Sequence, residues 1–426
     1  MSKPVFIISC PYDTYSGYGA RSRDLVKAII ETNKYEVKLL PQRWGSTSWG
    51  FCKEHKEWEF LLQHKIDKIE SKPDIWMQIT IPNEFQAIGK YNIGCTAGIE
   101  ATVCKHEWIK GLNRMDVNFV SSNFSKKVFE NMSYEEKDKQ TNQLKGILKC
   151  NKPIEVIFEG ANLDTYKAIP PSEIKTMDLD KIKESFCFLN VGHWMQGDYG
   201  HDRKNMGVLI KSFYETFKGF SNKPKPALIL KASMGVASYM SREQILDKIK
   251  SIRETVNSSN LPNVYLINGE FNDNEINELY NHPKIKAMVS LTKGEGFGRP
   301  LLEFSLTGKP IIASGWSGHT DFLSPKFTTL LSGTLENVHP SASNDWLIKE
   351  AQWFKPDFGE IGKNFKNCYK KYKEYSTRAR QQKNFSKSNF NYNKMKELID
   401  FNLEKYVPEF PKQVELTLPK LELPKL

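Results

Sequence analysis

Twelve short apolar runs, with helical patterns between many of them, restrict most sharply what this 426-residue chain can fold into. PVFIISC (4–10), YEVKLL (35–40), DIWMQITI (74–81), YNIGCTAG (91–98), VNFVSS (117–122) and IEVIFEG (154–160) lie in the first half. FCFLNVG (186–192), ALILKAS (227–233), VYLING (264–269), AMVSLT (287–292), PIIASG (310–315) and TTLLSG (328–333) follow in the second. Strands that alternate with helices form βαβ units, and these build parallel sheets. A chain of this length exceeds one ordinary core of roughly 200 residues. The runs therefore predict an α/β protein of two doubly wound, Rossmann-like domains. The polar stretch 168–185, with Pro170 and Pro171, marks the divide as a linker. The expected domains are 1–167 and 186–375, followed by a basic segment and helix over 376–408 and an extended tail over 409–426. That tail ends in LPKLELPKL, whose prolines forbid a continued helix.

Within the second half, KGEGFGRPLLEFSLTGKP (293–310) sets two carboxylates, Glu295 and Glu303, around a glycine-rich turn. Gly294, Gly296 and Gly298 give a backbone that can turn sharply and approach a ligand closely. Pro300 suits a first helical turn, and Gly308 the position past the last one. Glu295 then lies in the loop after a strand and Glu303 one turn into a short helix. Both can face a cleft at the strand's carboxyl end, where open α/β sheets bind ligands. The backbone N–H groups of Gly296, Phe297 and Gly298, at a helix start, suit an anion.

This arrangement resembles the retaining glycosyltransferases of the GT-B architecture, specifically the large family 4 type. Three further segments share in the resemblance: the Ser16-Gly17-Tyr18-Gly19 loop; Gly192 followed by Arg203-Lys204-Asn205; and Asn268-Gly269-Glu270-Phe271 followed by Glu275 to Tyr280. It implies two facing domains with an interdomain cleft, a UDP-, GDP- or ADP-sugar as donor substrate, no required cofactor and no metal. It also implies roles. Lys204 would hold the diphosphate, with Arg203 supplying the charge of the family's arginine, whose place His193 takes. Gly17 and Gly19 would let the first domain approach that diphosphate, and Gly269 and Phe271 would line the base pocket. Glu295 would bind hydroxyls of the donor sugar and Glu303 those of the ribose, since a carboxylate only accepts and neighbouring hydroxyls can donate to both oxygens. The first domain departs from the pattern in CTAGIEATVCKHEW. There Glu100 is the candidate for orienting or deprotonating the acceptor hydroxyl, with a helix-capping or surface acid as the alternative. A helix over 391–406 would cross back to the first domain. The acceptor, whether glycan, lipid-linked, protein or DNA, is left unspecified.

Charge is concentrated in one place. Lys363 to Lys396 holds eleven basic residues and one acid, Glu374, a net +10 against +11 for the whole chain. Phe365, Tyr369 and Tyr372 fall at i, i+4 and i+7, a core-facing stripe with lysines outside. The segment is thus either a solvated cationic face or a contact for a polyanion. The second choice supports an alternative function, glycosylation of a hydroxylated base in DNA, and a third is a noncatalytic sugar-nucleotide- or polyanion-binding protein. The seven cysteines are scattered and read as reduced thiols, the start runs straight into a strand, and no apolar run reaches the length of a membrane span, so a cytoplasmic protein is expected. Asp178-Leu179-Asp180 has the spacing of an acidic metal motif but reads better as a helix cap at Asp180. His319 and Asp321, in the loop after PIIAS, could contact a substrate but read better as caps of the following helix.

Overall fold

The computed structural model describes residues 3–138, 140–220 and 225–410, so the LPKLELPKL tail lies outside the described residues. All twelve apolar runs become strands of two six-stranded parallel sheets, numbered here in chain order. The first sheet contains β1 (Val5–Cys10), β2 (Glu36–Pro41), β3 (Ile75–Ile79), β4 (Tyr91–Cys95), β5 (Val117–Val120) and β6 (Ile154–Val156), in the order β2-β1-β3-β4-β5-β6. The second contains β7 (Cys187–His193), β8 (Ala227–Ser233), β9 (Val264–Ile267), β10 (Ile285–Ser290), β11 (Ile311–Ser314) and β12 (Thr329–Leu331), in the order β9-β8-β7-β10-β11-β12. Helices cover both faces of each sheet, which is why the strands read as continuous apolar runs rather than alternating ones. All five residues of β3, for example, are buried.

The winding direction of each sheet reverses at one point, between β1 and β3 in the first and between β7 and β10 in the second. Loops after the strands on either side of such a reversal splay apart and leave a crevice at the carboxyl ends. The chain uses these loops. Ser16 caps the helix Gly17–Thr32 after β1, its hydroxyl accepting from the Gly19 N–H. After β10 the chain turns through Gly298, at φ +94°, into the helix Arg299–Ser305, with Pro300 in its first turn. Gly308, at φ +75°, closes that turn with its N–H on the Ser305 carbonyl.

The C-terminal part corrects one expectation. The aromatic stripe does not run along one helix: the helix Phe358–Lys370 stops at Lys371 and a second, Tyr372–Asn389, begins. Phe186 still collects Tyr369 and Tyr372 edge-on, at 5.0 and 5.5 Å between ring centres, so all three rings face the second core. The helix Tyr392–Tyr406 then returns to the first sheet and seats Met395, Ile399 and Leu403 in its core. Ala161 and Phe390, and Tyr392 and Ala161, exchange backbone hydrogen bonds where the two crossings meet. The stretch 168–185 is irregular apart from a turn at Pro171–Glu173, and its Leu179 and Ile182 are buried in the second half's core. No helix starts at Asp180; the Asp178 carboxylate accepts from the Asp180 N–H in a local turn. All seven cysteines are free, and among the described residues no helix is long and apolar enough to cross a membrane.

Candidate active site

A cleft of about 660 Å³ opens between the carboxyl ends of the two sheets. Its first wall carries Gly17 after β1, Ala97 to Glu100 after β4, and Trp44, stacked on Tyr18 at 3.8 Å between ring centres. Its second wall carries Arg203, from the loop after β7, and Glu295 to Pro300, after β10. The antiparallel pair Gly333–Asn337 and Gln352–Pro356 holds a long excursion whose Ala342, Asn344, Trp346 and Leu347 complete the lining. That excursion is tied to the first half by Thr102, which exchanges hydrogen bonds with the Gln352 backbone at 2.8 and 2.9 Å.

Four charged groups, Lys204, Glu295, Arg203 and Glu100, form one chain. Lys204 donates to Glu295 Oε1 at 2.5 Å, and Arg203 Nη1 lies 3.3 Å from Glu295 Oε2 and donates to the Gly294 carbonyl at 2.7 Å. Arg203 Nη2 reaches Glu100 Oε1 at 3.5 Å, so one guanidinium joins an acid from each half of the molecule. Burial pushes the Glu295 carboxyl up, but Lys204 and then Arg203 outweigh it and hold the group at about 2. Glu295 is therefore ionised at neutral pH. Beside it, among the described residues, the N–H groups of Gly296, Phe297 and Gly298 have no protein acceptor, whereas the Glu295 N–H is taken by Ser317 Oγ at 2.9 Å. Three unpaired N–H groups in sequence, next to an acid that holds two cations, have the chemistry to receive an anion.

Of the residues the sequence points to, the structure brings Gly17, Glu100, Arg203, Glu295, Gly296, Phe297 and Gly298 to the cleft, with Lys204 directly behind Glu295. The others stand elsewhere. Gly19 is buried against the β1 loop, where a Cβ would stand 2.3 Å from the Thr14 carbonyl; its smallness serves packing. Gly269 and Phe271 lie beyond the lining, past the end of β9, with the Phe271 ring 5.3 Å from Lys231 Nζ. Glu303 is buried behind Arg299, which donates to it at 2.8 Å, while Tyr280 OH lies 3.4 Å away. Burial, against the pull of Arg299, holds this carboxyl up at about 7. Arg299 also pairs with Asp24 of the Gly17–Thr32 helix at 2.5 Å. None of the eleven basic residues between Lys363 and Lys396 lines the cleft.

His319 and Asp321 do not cap the following helix. His319 is fully buried under Gly298 and its Nε2 meets the Ser314 carbonyl at 2.6 Å. Asp321 accepts from the Asn123 N–H at 2.7 Å and so caps a helix of the other half, Asn123–Asn131. The residues missed from the sequence include Arg299, Asp24, Trp44 and Trp346. Arg299 sits inside the quoted GFGRP, and a cation four residues before Glu303 on a helix was its available signal. Trp44 had none, because its ring is placed by stacking on Tyr18, and nothing in the sequence marks Trp346.

The two halves meet closely where Ser121 Oγ donates to the Gly296 carbonyl at 3.1 Å. A Cβ on Gly296 would stand 2.3 Å from the Ala97 carbonyl oxygen, and one on Gly294 would stand 1.9 Å from that of Glu100. Both obstacles are backbone and cannot rotate away. Gly296→Ala should therefore separate the halves, raising the radius of gyration in solution scattering and costing about 1–3 kcal/mol of stability. An unchanged scattering profile would refute the close approach.

Compared with known protein families the sequence matches none, and it matches no curated protein. Solved structures are nevertheless similar over nearly the whole chain. Sucrose-phosphate synthase from Thermosynechococcus elongatus is 12% identical, with a TM-score of 0.62, over 95% of this chain and 98% of that one. Anabaena HepE, solved in complex with UDP and glucose, is 12% identical with a TM-score of 0.60, over 94% of this chain and all of that one. An α,α-trehalose-phosphate synthase (UDP-forming) from Burkholderia vietnamiensis is 9% identical with a TM-score of 0.57, over 96% of this chain and 98% of that one. At such identities the likeness is one of fold. The chain has the GT-B fold of these glycosyltransferases, two Rossmann-like sheets facing across a cleft.

Proposed function

We propose that this protein is a retaining glycosyltransferase that moves a sugar from a nucleotide-sugar donor to an acceptor hydroxyl. The observation that carries the reading is the run of unpaired N–H groups at Gly296, Phe297 and Gly298 beside Arg203 and the Lys204–Glu295 pair, inside a cleft of the GT-B fold. The donor diphosphate lies on these N–H groups, with Lys204 and Arg203 supplying positive charge and Gly17 closing from the first half. Glu295, fully ionised, accepts from hydroxyls of the donor sugar. Glu100, joined to Glu295 through Arg203, orients the acceptor hydroxyl from the opposite wall. The bond from the anomeric carbon to the diphosphate oxygen breaks, and the acceptor oxygen bonds to that carbon from the face the diphosphate leaves. The acceptor proton passes to the departing phosphate oxygen. Preorganised donors aimed at the charge that grows on the leaving group are the main source of acceleration here. HepE was solved with UDP-glucose, which makes a UDP-sugar the first donor to try.

The test is release of nucleoside diphosphate from UDP-, GDP- and ADP-sugars without an acceptor. At least one donor is expected to be hydrolysed slowly. Binding without hydrolysis across a broad panel would replace this reading with a noncatalytic nucleotide-sugar-binding protein, and the absence of binding would reject both.

A further inference from the structure

Five acids are buried among the described residues: Asp24, Glu159, Asp202, Glu295 and Glu303. Four have partners. Asp24 and Glu303 share Arg299, Glu295 holds Lys204 and Arg203, and Asp202 accepts from the Met206 N–H. Glu159 alone has no hydrogen bond and no ion pair among the described residues, although it is only 9% exposed. It lines the same cleft as Gly17 and Phe297 to Pro300.

Its oxygens are not among the fully enclosed unpartnered polar atoms, so the carboxyl keeps its remaining exposure toward the cleft. A carboxyl mostly withdrawn from water with no protein donor costs free energy unless something supplies its hydrogen bonds. The backbone around Glu159 leaves little freedom to relax. Arg21 Nη2 donates to the Ile157 carbonyl at 2.9 Å, the Ile157 N–H bonds the Val120 carbonyl at 2.8 Å, and the Ala161 N–H bonds the Phe390 carbonyl at 3.0 Å. A Cβ on the adjoining Gly160 would stand 2.6 Å from the Asn391 carbonyl oxygen. The fold thus fixes the backbone that carries a carboxylate without a protein partner into the wall of the cleft. Burial pushes its carboxyl up, while Arg21 and Arg299 pull it down.

We infer that Glu159 is a substrate-binding residue, which accepts a hydrogen bond from a sugar hydroxyl of the bound nucleotide sugar. The inference rests on the nucleotide-sugar reading above. It assigns to the first half a hydroxyl acceptor that Glu303, closed in behind Arg299 and Tyr280, does not present to the cleft. A carboxylate mostly withdrawn from water, with no protein donor and its open side on the cleft, is preorganised for a ligand and poorly suited to the empty fold. The two contributions to stability and to binding therefore have opposite signs.

That opposition is the experiment. Glu159→Gln and the wild type are compared by thermal melting and by calorimetric titration with UDP, GDP and ADP and with UDP-glucose, GDP-mannose and ADP-glucose. The expected result is a Tm equal to or above that of the wild type, with affinity for the bound donor lowered about tenfold or more. A loss seen equally with the nucleoside diphosphate places the contact at the ribose, and a loss confined to the nucleotide sugar places it at the transferred sugar. Unchanged affinity for every ligand the wild type binds, or a lower Tm whatever the affinity, would overturn the inference. A wild type that binds none of the six ligands would instead overturn the nucleotide-sugar reading, and this inference with it.

Discussion

The Glu295→Gln variant is expected to lose about 10²–10³ in turnover of its nucleotide sugar while binding nucleoside diphosphate at least as tightly as the wild type. The reason is the sharing of charge around the carboxylate. Lys204 and Arg203 both lean on Glu295, at 2.5 and 3.3 Å. Removing its charge frees both cations for the diphosphate, which improves ground-state binding of the nucleotide. The same change removes the only acceptor among those three side chains, so the donor sugar is no longer held in the orientation from which the bond breaks. An interaction made with the reacting sugar and strengthened in the transition state shows in kcat, whereas one made with the nucleotide shows in KM. Steady-state kinetics of donor hydrolysis, with calorimetric titration of the nucleoside diphosphate, separates the two. A variant with unchanged kcat and weaker nucleotide binding would mean that Glu295 serves nucleotide binding and not the reacting sugar.

The strands were readable because parallel sheets covered on both faces leave an unambiguous apolar trace. All twelve runs carry strands, with the ends off by a few residues, as at β10, where the run begins at Ala287 and the strand at Ile285. The turn into the helix Arg299–Ser305 was readable for a similar reason: Gly298 at φ +94° and Pro300 in the first turn are local demands that few other residues meet. The site was readable where its function is carried by one loop, as at Glu295 to Gly298. It was not where a side chain's partner comes from elsewhere in the chain. Glu303 has the spacing of a cleft residue, yet the Arg299 that closes it off is itself held by Asp24, 275 positions away. Asp321 looked like a local cap because its true partner, Asn123, is 198 positions off. Glu159 sat unremarked in a strand-like run because burial without a partner has no sequence signature at all.

The Asp24–Arg299–Glu303 bridge should be the costliest single contact to break. Arg299 is mostly buried, Nη1 at 2.5 Å from Asp24 in one half and Nε at 2.8 Å from Glu303 in the other. Replacing it by methionine keeps most of the side chain's length and leaves two buried carboxyl groups with no cation between them. Breaking a buried pair from one side costs about 3–5 kcal/mol, more than the intact pair contributes, because the stranded charges stay out of water. The cost should depend on pH in a defined direction. Burial already holds Glu303 up at about 7 against the pull of Arg299, so without that pull its folded-state value climbs further. A carboxyl raised on folding favours the folded state below its unfolded value, near 4.5, and that contribution is lost as pH rises through the folded value. Wild type and variant lose it in parallel between about 4.5 and 7; above 7 the wild type has finished titrating and the variant has not. Urea unfolding at pH 6 and pH 8.5 should therefore find Arg299→Met less stable at both and further behind at the higher. A gap of the same size at the two pH values, or one below about 1 kcal/mol, would mean that Glu303 is not buried against Arg299 as described.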